Sequence, residues 1–241
     1  MSEDKQENWV SDLVADLKVV RVGDAIKESI ISLNPKKRSQ YWKKEVQDFY
    51  GWNQQNDPEV YHKICTGCHT ADEFYANTES VVYLADPGPE DECFNIGCGA
   101  GRVEFHLAPK VARIHSVDFS TSMVELARDK CSVHSNVTIS QNDGESLHPL
   151  EDGGYTLGWC ELVFQHVPRH VTQAYLQEVH RVLKPGGRFI CNIPKLSRYG
   201  NTVTCGGFTR RQTLKLVEDL FADVNVLDPD NVYHHVLLLS R

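Results

Sequence analysis

The run Asn95-Ile96-Gly97-Cys98-Gly99-Ala100-Gly101-Arg102 packs three glycines into five residues where an apolar stretch gives way to helical periodicity. Glycine takes positive φ at no steric cost and lets a ligand approach the backbone, while the start of the following helix supplies unpaired N–H groups. A dinucleotide fingerprint, G-x-G-x-x-G, would need glycine where this chain has Arg102. A pyrophosphate cradle, and with it a nicotinamide oxidoreductase, is therefore disfavoured. Asp118 closes the next apolar run, where a carboxylate can accept from both hydroxyls of a ribose; capping the next helix through Phe119-Ser120 is the competing use. In Asn142-Asp143-Gly144-Glu145 the Asp143 carboxylate can accept from an adenine amino group, and Gly144 can offer its N–H to the ring. An ordinary Asx turn is the commoner role of such a segment. His166 is the leading base candidate because its unperturbed pKa lies near neutrality, with a structural histidine as the alternative. Glu161 is the second, against a solvent-facing carboxylate.

These residues share one place if the elements run as their periodicity suggests. Strands are expected at Cys93–Ile96, Ala112–Val117, Val137–Ser140, Tyr155–Cys160 and Arg188–Ile193, with helices between them. Arg102–Ala108 is a short helix closed by Pro109, and Ser120–Lys130 a longer one, with Ser122 and Glu125 spaced as a capping box. Val171 to Leu183 marks the next, stopped by Lys184-Pro185-Gly186-Gly187. Thr209 with Gln212 opens a helix running through Phe221. Strands at about 223–227 and 234–240 then follow with no helix between them, which implies an antiparallel last strand. The result is an α/β, Rossmann-like, doubly wound sheet with helices on both faces. In such a sheet the strand carboxyl ends form one ligand-binding edge. The glycine loop, Asp118, Asp143 and Cys160-Glu161 all fall on it.

The remainder bounds the function. The 241 residues divide into an amino-terminal helical cap, 1–89, and a core, 90–241. Helices are expected over 9–21 and around Gln40–Tyr50. Tyr41, Trp42, Phe49, Tyr50 and Trp52 could form a lid, and the loop Lys195–Gly207 could complete an acceptor pocket. The basic cluster Lys36, Lys37, Arg38, Lys43 and Lys44 reads as a solvated face. With 33 acidic against 25 basic residues the net charge is -8, which argues against nucleic acid as a partner. No apolar run approaches the roughly 18–20 residues of a membrane helix, and the polar, acidic amino terminus is unlike a targeting signal, so a cytoplasmic protein without a membrane partner is expected. Eight cysteines without an export signal read as free thiols, with Cys93, Cys160 and Cys191 as buried packing groups on strands. Cys65-Thr66-Gly67-Cys68-His69 matches the haem-attachment pattern, but that chemistry needs export, and no second pair follows to complete a zinc site.

Phe94–Arg102, Val117–Met123, Asn142–Leu147, Leu162–Pro168 and Val182–Arg188 together resemble the motif series of class I S-adenosylmethionine-dependent methyltransferases of the small-molecule type, over about residues 90–241. The resemblance implies a seven-stranded sheet with an antiparallel last strand and S-adenosyl-L-methionine as cofactor. It places that cofactor against Asn95, Gly97, Cys98, Gly99, Gly101, Asp118, Phe119, Met123, Asp143, Gly144, Glu145 and Cys160. His166 and Glu161 become the catalytic candidates, with no metal. The activity implied is in-line methyl transfer to an oxygen or nitrogen nucleophile of a small molecule. The alternative is a cofactor-binding scaffold with weak or no turnover. Two positions depart from the family. Asn95 stands where an acidic residue usually meets the methionine part, keeping hydrogen bonding but losing charge attraction. Thr156 stands where Asp often precedes the fourth strand. The acceptor and the oligomeric state stay open.

Overall fold

The computed structural model describes residues 39–44, 68, 70–199, 205–228 and 230–241. The helix expected over 9–21, the aromatics Phe49, Tyr50 and Trp52, the cations Lys36, Lys37 and Arg38, and all but Cys68 of the Cys65–His69 motif lie outside them. Of the helix expected around 40–50, residues 39–44 are helical. The chain divides into two units, Met1–Trp42 and Lys43–Arg241. In the first, Trp42 is buried.

The described elements of the second unit after residue 44 begin with α1 (Ala71–Ala76) and a 3-10 helix, Val81–Ala85. The core follows as β1 (Glu92–Ile96), α2 (Arg102–Leu107), β2 (Arg113–Asp118), α3 (Thr121–Cys131), β3 (Val137–Gln141) and β4 (Tyr155–Cys160). It ends with α4 (Arg169–Val182), β5 (Leu183–Pro194), α5 (Leu196–Tyr199), α6 (Arg210–Val217), β6 (Asp223–Val226) and β7 (His234–Ser240). Seven strands form one sheet in the order β3-β2-β1-β4-β5-β7-β6. The β3 to β5 neighbours pair in parallel, and β7 runs antiparallel to both β5 and β6. The fold is thus the doubly wound α/β sheet with an antiparallel last strand.

Helices on both faces explain why β1 and β4 bury nearly every side chain rather than alternating. Phe94 stacks on Phe189 at 5.8 Å on one face. On the other, Cys93, Leu157, Trp159 and Ile190 pack with Val103 and Leu107 of α2 and Val82 of the 3-10 helix. Each such side chain contributes about 1.5–3 kcal/mol by leaving water. Cys93, Cys160 and Cys191 are fully buried, free thiols, and burial pushes the Cys93 thiol up to about 12.

Three boundaries differ from the sequence reading. The N-cap of α3 is Ser120, whose extended backbone lets its hydroxyl accept from Met123 N at 3.4 Å; Ser122 lies inside the first turn, so no box forms with Glu125. Helix α4 stops at Leu183, which turns extended to start β5. The Lys184–Gly187 run instead makes the register shift opposite Tyr155 and Leu157. Helix α6 ends at Val217; Leu220 and Phe221 belong to the following turn, their N–H groups both bonded to Val217 O. The box of Thr209 with Gln212 is formed in both directions, at 3.3 and 3.0 Å.

Candidate active site

The glycine loop is held from three sides. Gly97 and Cys98 both donate to Val117 O, at 2.8 and 3.2 Å, tying the loop to the end of β2. Gly97 has φ +77, and a Cβ there would lie 2.3 Å from Val163 Cγ2. Gly101 is the N-cap of α2 with φ +79, and its missing side chain lets α3 approach, since a Cβ would meet Ala127 Cα at 3.0 Å. From α1, Tyr75 donates its hydroxyl to Ala100 O at 2.8 Å. Arg102, the residue that breaks the dinucleotide pattern, donates to Asn77 O and Glu79 O at 3.0 and 2.6 Å. It anchors the segment before β1.

Asp118 crosses this loop. Its Oδ2 accepts from Gly99 N and its Oδ1 from Ser120 N, both at 2.9 Å. The carboxylate is therefore both helix-start partner and loop clamp, and each oxygen keeps a lone pair for a further donor. Burial raises its pKa, with the Ser120, Gly99 and Phe119 backbone opposing. After β3, Asp143 forms the Asx turn, Oδ1 accepting from Glu145 N at 2.9 Å and Ser146 N at 2.7 Å. The Gly144 N–H, read as free for a ligand ring, is directed to Asn142 Oδ1 at 3.3 Å. Glu145 pairs with Lys43 at 3.1 Å, so Lys43 is not simply part of a solvated face.

Several expected contacts turn inward. The side chain of Cys98 packs with Val124, Ala127 and Ile139, its thiol donating to Gly99 O at 3.6 Å. Met123 lies with Cys68, Phe74 and Ala100 in a small core. Cys160 is buried at the end of β4, level with Cys191. Phe119 is half-buried. Asn95 points between β1 and α2, where its Nδ2 donates to Glu104 Oε1 at 2.6 Å and Ser116 Oγ donates to the same oxygen at 2.8 Å. Asn95 Oδ1 and Glu104 Oε2 have no protein partner. Burial raises the pKa of the fully enclosed Glu104, its bonds to Asn95 and Ser116 pulling the other way. Thr156 sits at the opposite end of β4 from the ligand edge, donating to Asp91 Oδ1 at 2.7 Å. Four residues of strand, about 13 Å, separate it from Cys160, so its identity does not bear on the site.

The two base candidates separate. Glu161 accepts from Ser80 Oγ at 2.6 Å and Val81 N at 3.3 Å, which ties it to the start of the 3-10 helix Val81–Ala85, whose N-cap is Ser80. Leu162 beside it is exposed and holds φ +58, a left-handed conformation costly for leucine. His166 lies in the 3-10 turn Phe164–His166. The residue is exposed, yet enclosed enough for desolvation to lower its pKa. Its Nε2 is 3.0 Å from Gln165 Nε2, and Gln165 Oε1 is 2.6 Å from His234 Nε2. Because the amide has one donor and one acceptor end, it imposes opposite ring tautomers on the two histidines. Burial brings the His234 pKa down to about 4, with His166, His235 and Lys195 adding to the shift. The sequence reading missed Gln165, His234 and Glu104. The signal for His234 was the antiparallel strand itself, whose first residue, not its last, lies at the ligand edge opposite Pro194.

A family described as "Methyltransferase domain" matches residues 94–191, the span from β1 to β5 that builds this edge. The chain is a class I methyltransferase-fold protein. Among curated relatives, it is 33% identical over 112 residues to a demethylmenaquinone methyltransferase of Symbiobacterium thermophilum, covering 43% of this chain and 42% of the relative. It is 33% identical over 141 residues to an uncharacterized 37.1 kDa protein in transposon TN4556 of Streptomyces fradiae, covering 56% and 40%. The chain thus spans about two fifths of the length of these relatives. Among solved structures, the magnesium protoporphyrin IX methyltransferase of Synechocystis PCC 6803 with bound S-adenosylmethionine superposes with TM-score 0.58 at 20% identity, over 83% of this chain and 97% of that one. That likeness is one of fold. No group of three His, Cys, Asp or Glu among the described residues could hold a metal ion. No described helix is long and apolar enough to cross a membrane.

Proposed function

We propose that the chain is an S-adenosylmethionine-dependent methyltransferase acting on an oxygen or nitrogen nucleophile of a small molecule. The observation that carries this reading is the Asp118 carboxylate, clamped across the glycine loop by Gly99 N–H with lone pairs to spare. A ribose diol needs such a fixed double acceptor. Gly97, Gly99 and Gly101 would bring backbone against the cofactor's amino-acid part, and Asp143 would take the adenine amino group. Bound there, S-adenosylmethionine supplies an electrophilic methyl group on a sulfonium. The chain's own contribution is to align the acceptor and receive its proton. His166, whose neutral form desolvation favours, suits that role through Nε2, the nitrogen that holds the lone pair and that an acceptor's O–H or N–H would take over from the Gln165 amide. Glu161 is engaged by Ser80 and Val81 and acts as an anchor. Relatives named as demethylmenaquinone and precorrin methyltransferases support a small-molecule acceptor.

Calorimetric titration with S-adenosylhomocysteine tests the reading. Saturable binding is expected, weakened about tenfold or more in Asp118→Ala, as loss of charge-assisted hydrogen bonds implies. Absence of binding at millimolar ligand would sink it. A second reading, a cofactor-binding scaffold without turnover, is favoured by one feature. Asn95, where the resemblance expects an acid, is committed to Glu104. Tight cofactor binding without methyl transfer to an acceptor panel would select it.

A further inference from the structure

The ligand edge is divided by charge along the order of the strands. Its β3-β2-β1 half carries the carboxylates Asp118, Asp143 and Glu145. The β4-β5-β7 half carries cations, its one carboxylate directly after β4, Glu161, being engaged by Ser80 Oγ and Val81 N. From residue 179 to 217 the sequence has no Asp or Glu, in a chain of net charge -8. The cations of this stretch behave differently at its two ends. At the amino end of β5 each meets a carboxylate: Arg181 with Glu178 at 2.7 Å, Lys184 with Glu92, and Arg188 with Asp91 at 2.8 Å. At the carboxyl end, Lys195 and Arg198 form no ion pair with a carboxylate among the described residues. Lys195 is half-buried and donates to Asn231 O, while Arg198 lies over the exposed Tyr233 ring at 5.7 Å.

Other groups there add positive character. Arg169 and Arg210 occupy the first turns of α4 and α6, which have no acidic residue, although cations at a helix start oppose the macrodipole. Arg169 is committed to Gly207 O and acts through its field. Among them His235 is buried with Nε2 unpartnered, and burial, joined by Lys195 and Arg210, holds its pKa down against the Phe208 backbone. The β6–β7 loop brings Asp228 and Asp230 to this edge, but Asp228 is engaged by Asn231 Nδ2 at 3.0 Å and neither pairs with Lys195 or Arg198.

We propose that the methyl acceptor is an anion, a small molecule carrying a carboxylate or phosphate beside its nucleophile, bound through Lys195 and Arg198 with its nucleophile toward His166. This rests on the methyltransferase reading and adds the acceptor's charge class. The arrangement is self-consistent: the carboxylate half of the edge suits a cationic cofactor, the cationic half an anionic acceptor, and opposite charges bring the reactants together.

The test uses the full chain loaded with S-adenosylhomocysteine, titrated with 4-hydroxybenzoate, 4-hydroxyphenyl phosphate and the neutral 4-hydroxybenzamide. Ring signals of His166, His234 and His235 are followed by NMR. The two anions are expected to bind at least about tenfold more tightly than the amide, as one charge-assisted contact implies; the tighter anion tells carboxylate from phosphate recognition. Lys195→Ala/Arg198→Ala should erase that preference and leave S-adenosylhomocysteine affinity unchanged, while Lys215→Ala, at the far end of α6, should leave the preference intact. Equal binding of amide and anions, no binding of any of them, or an unchanged preference in the double variant would overturn the proposal. Failure of S-adenosylhomocysteine itself to bind would instead strike the underlying function, and the anion titration can still be read on the unloaded chain.

Discussion

Glu104 shows how a single side chain acquires its chemistry from its surroundings. In sequence it is one polar residue in the first turn of a short helix, with nothing to mark it from an exposed glutamate. In the structure it is completely enclosed, and Asn95 and Ser116 both donate to one of its oxygens. Asn95 was legible as a departure from the family pattern; its partner nine residues on was not, because burial there is set by how α2 lies on β1 and β2. The raised pKa has a definite consequence. The unfolded chain loses this proton near the ordinary value of 4.5, whereas the native chain keeps it to higher pH. Between those points the native state binds more protons, so the stability from Glu104 is full below 4.5 and falls as pH rises. Glu104→Gln cannot ionise. Relative to the unsubstituted chain, its stability should therefore improve as pH is raised from 4.5 toward 7. Urea unfolding of both proteins across that range measures this, and a constant difference would contradict it.

At the scale of the element, the strand–glycine loop–helix unit was readable because local rules fix it. Three glycines, a strand before and a helix after leave few backbone solutions, and the capping box at Thr209 is similarly local. The reading failed at Ser122 and at the end of α4, where tertiary pairing decided: β5 captures Leu183 before the glycines can act as a helix cap. It also could not show that the loop is packed from above by Val163, which follows β4. Gly97→Ala would pay for both conditions at once. A left-handed backbone costs a non-glycine residue about 1–2 kcal/mol, and forcing a methyl to 2.3 Å from Val163 Cγ2 adds an overpacking cost of about 1–3 kcal/mol. Adding Val163→Ala relieves the collision but not the backbone conformation. The single variant should be the less stable, with the double variant recovering only part of the loss in urea midpoint. Full recovery would mean that φ +77 carries no strain.

For the whole molecule, the doubly wound topology could be inferred from alternating strands and helices, but its effect on the carboxy terminus could not be read residue by residue. Inserting β7 antiparallel between β5 and β6 carries His234 to the edge where the parallel strands end. There Gln165 links it to His166, which is sixty-eight positions earlier in the chain. Desolvation lowers the pKa of both rings, most strongly that of His234, to about 4 against 6.5. The sign is opposite to that of Glu104. An unfolded histidine takes up its proton as pH falls through 6.5, the native ring only near 4, so stability from this site is full above 6.5 and drains away between the two. At 1.36 kcal/mol per unit this amounts to at most about 3 kcal/mol for His234. The groups facing the ring, His166, His235 and Lys195, all favour its neutral form. His234→Asn retains a donor for Gln165 but does not titrate. Its stability relative to the unsubstituted chain should rise as pH is lowered from 7 to 4.5, and the His166 ring-nitrogen shifts should keep the tautomer imposed by Gln165. His234→Phe, which removes the donor, should release that tautomer. If His166 shows the same tautomer and pKa in both variants, the two histidines are neighbours without coupling, and the Gln165 bridge does not set the state of the candidate base.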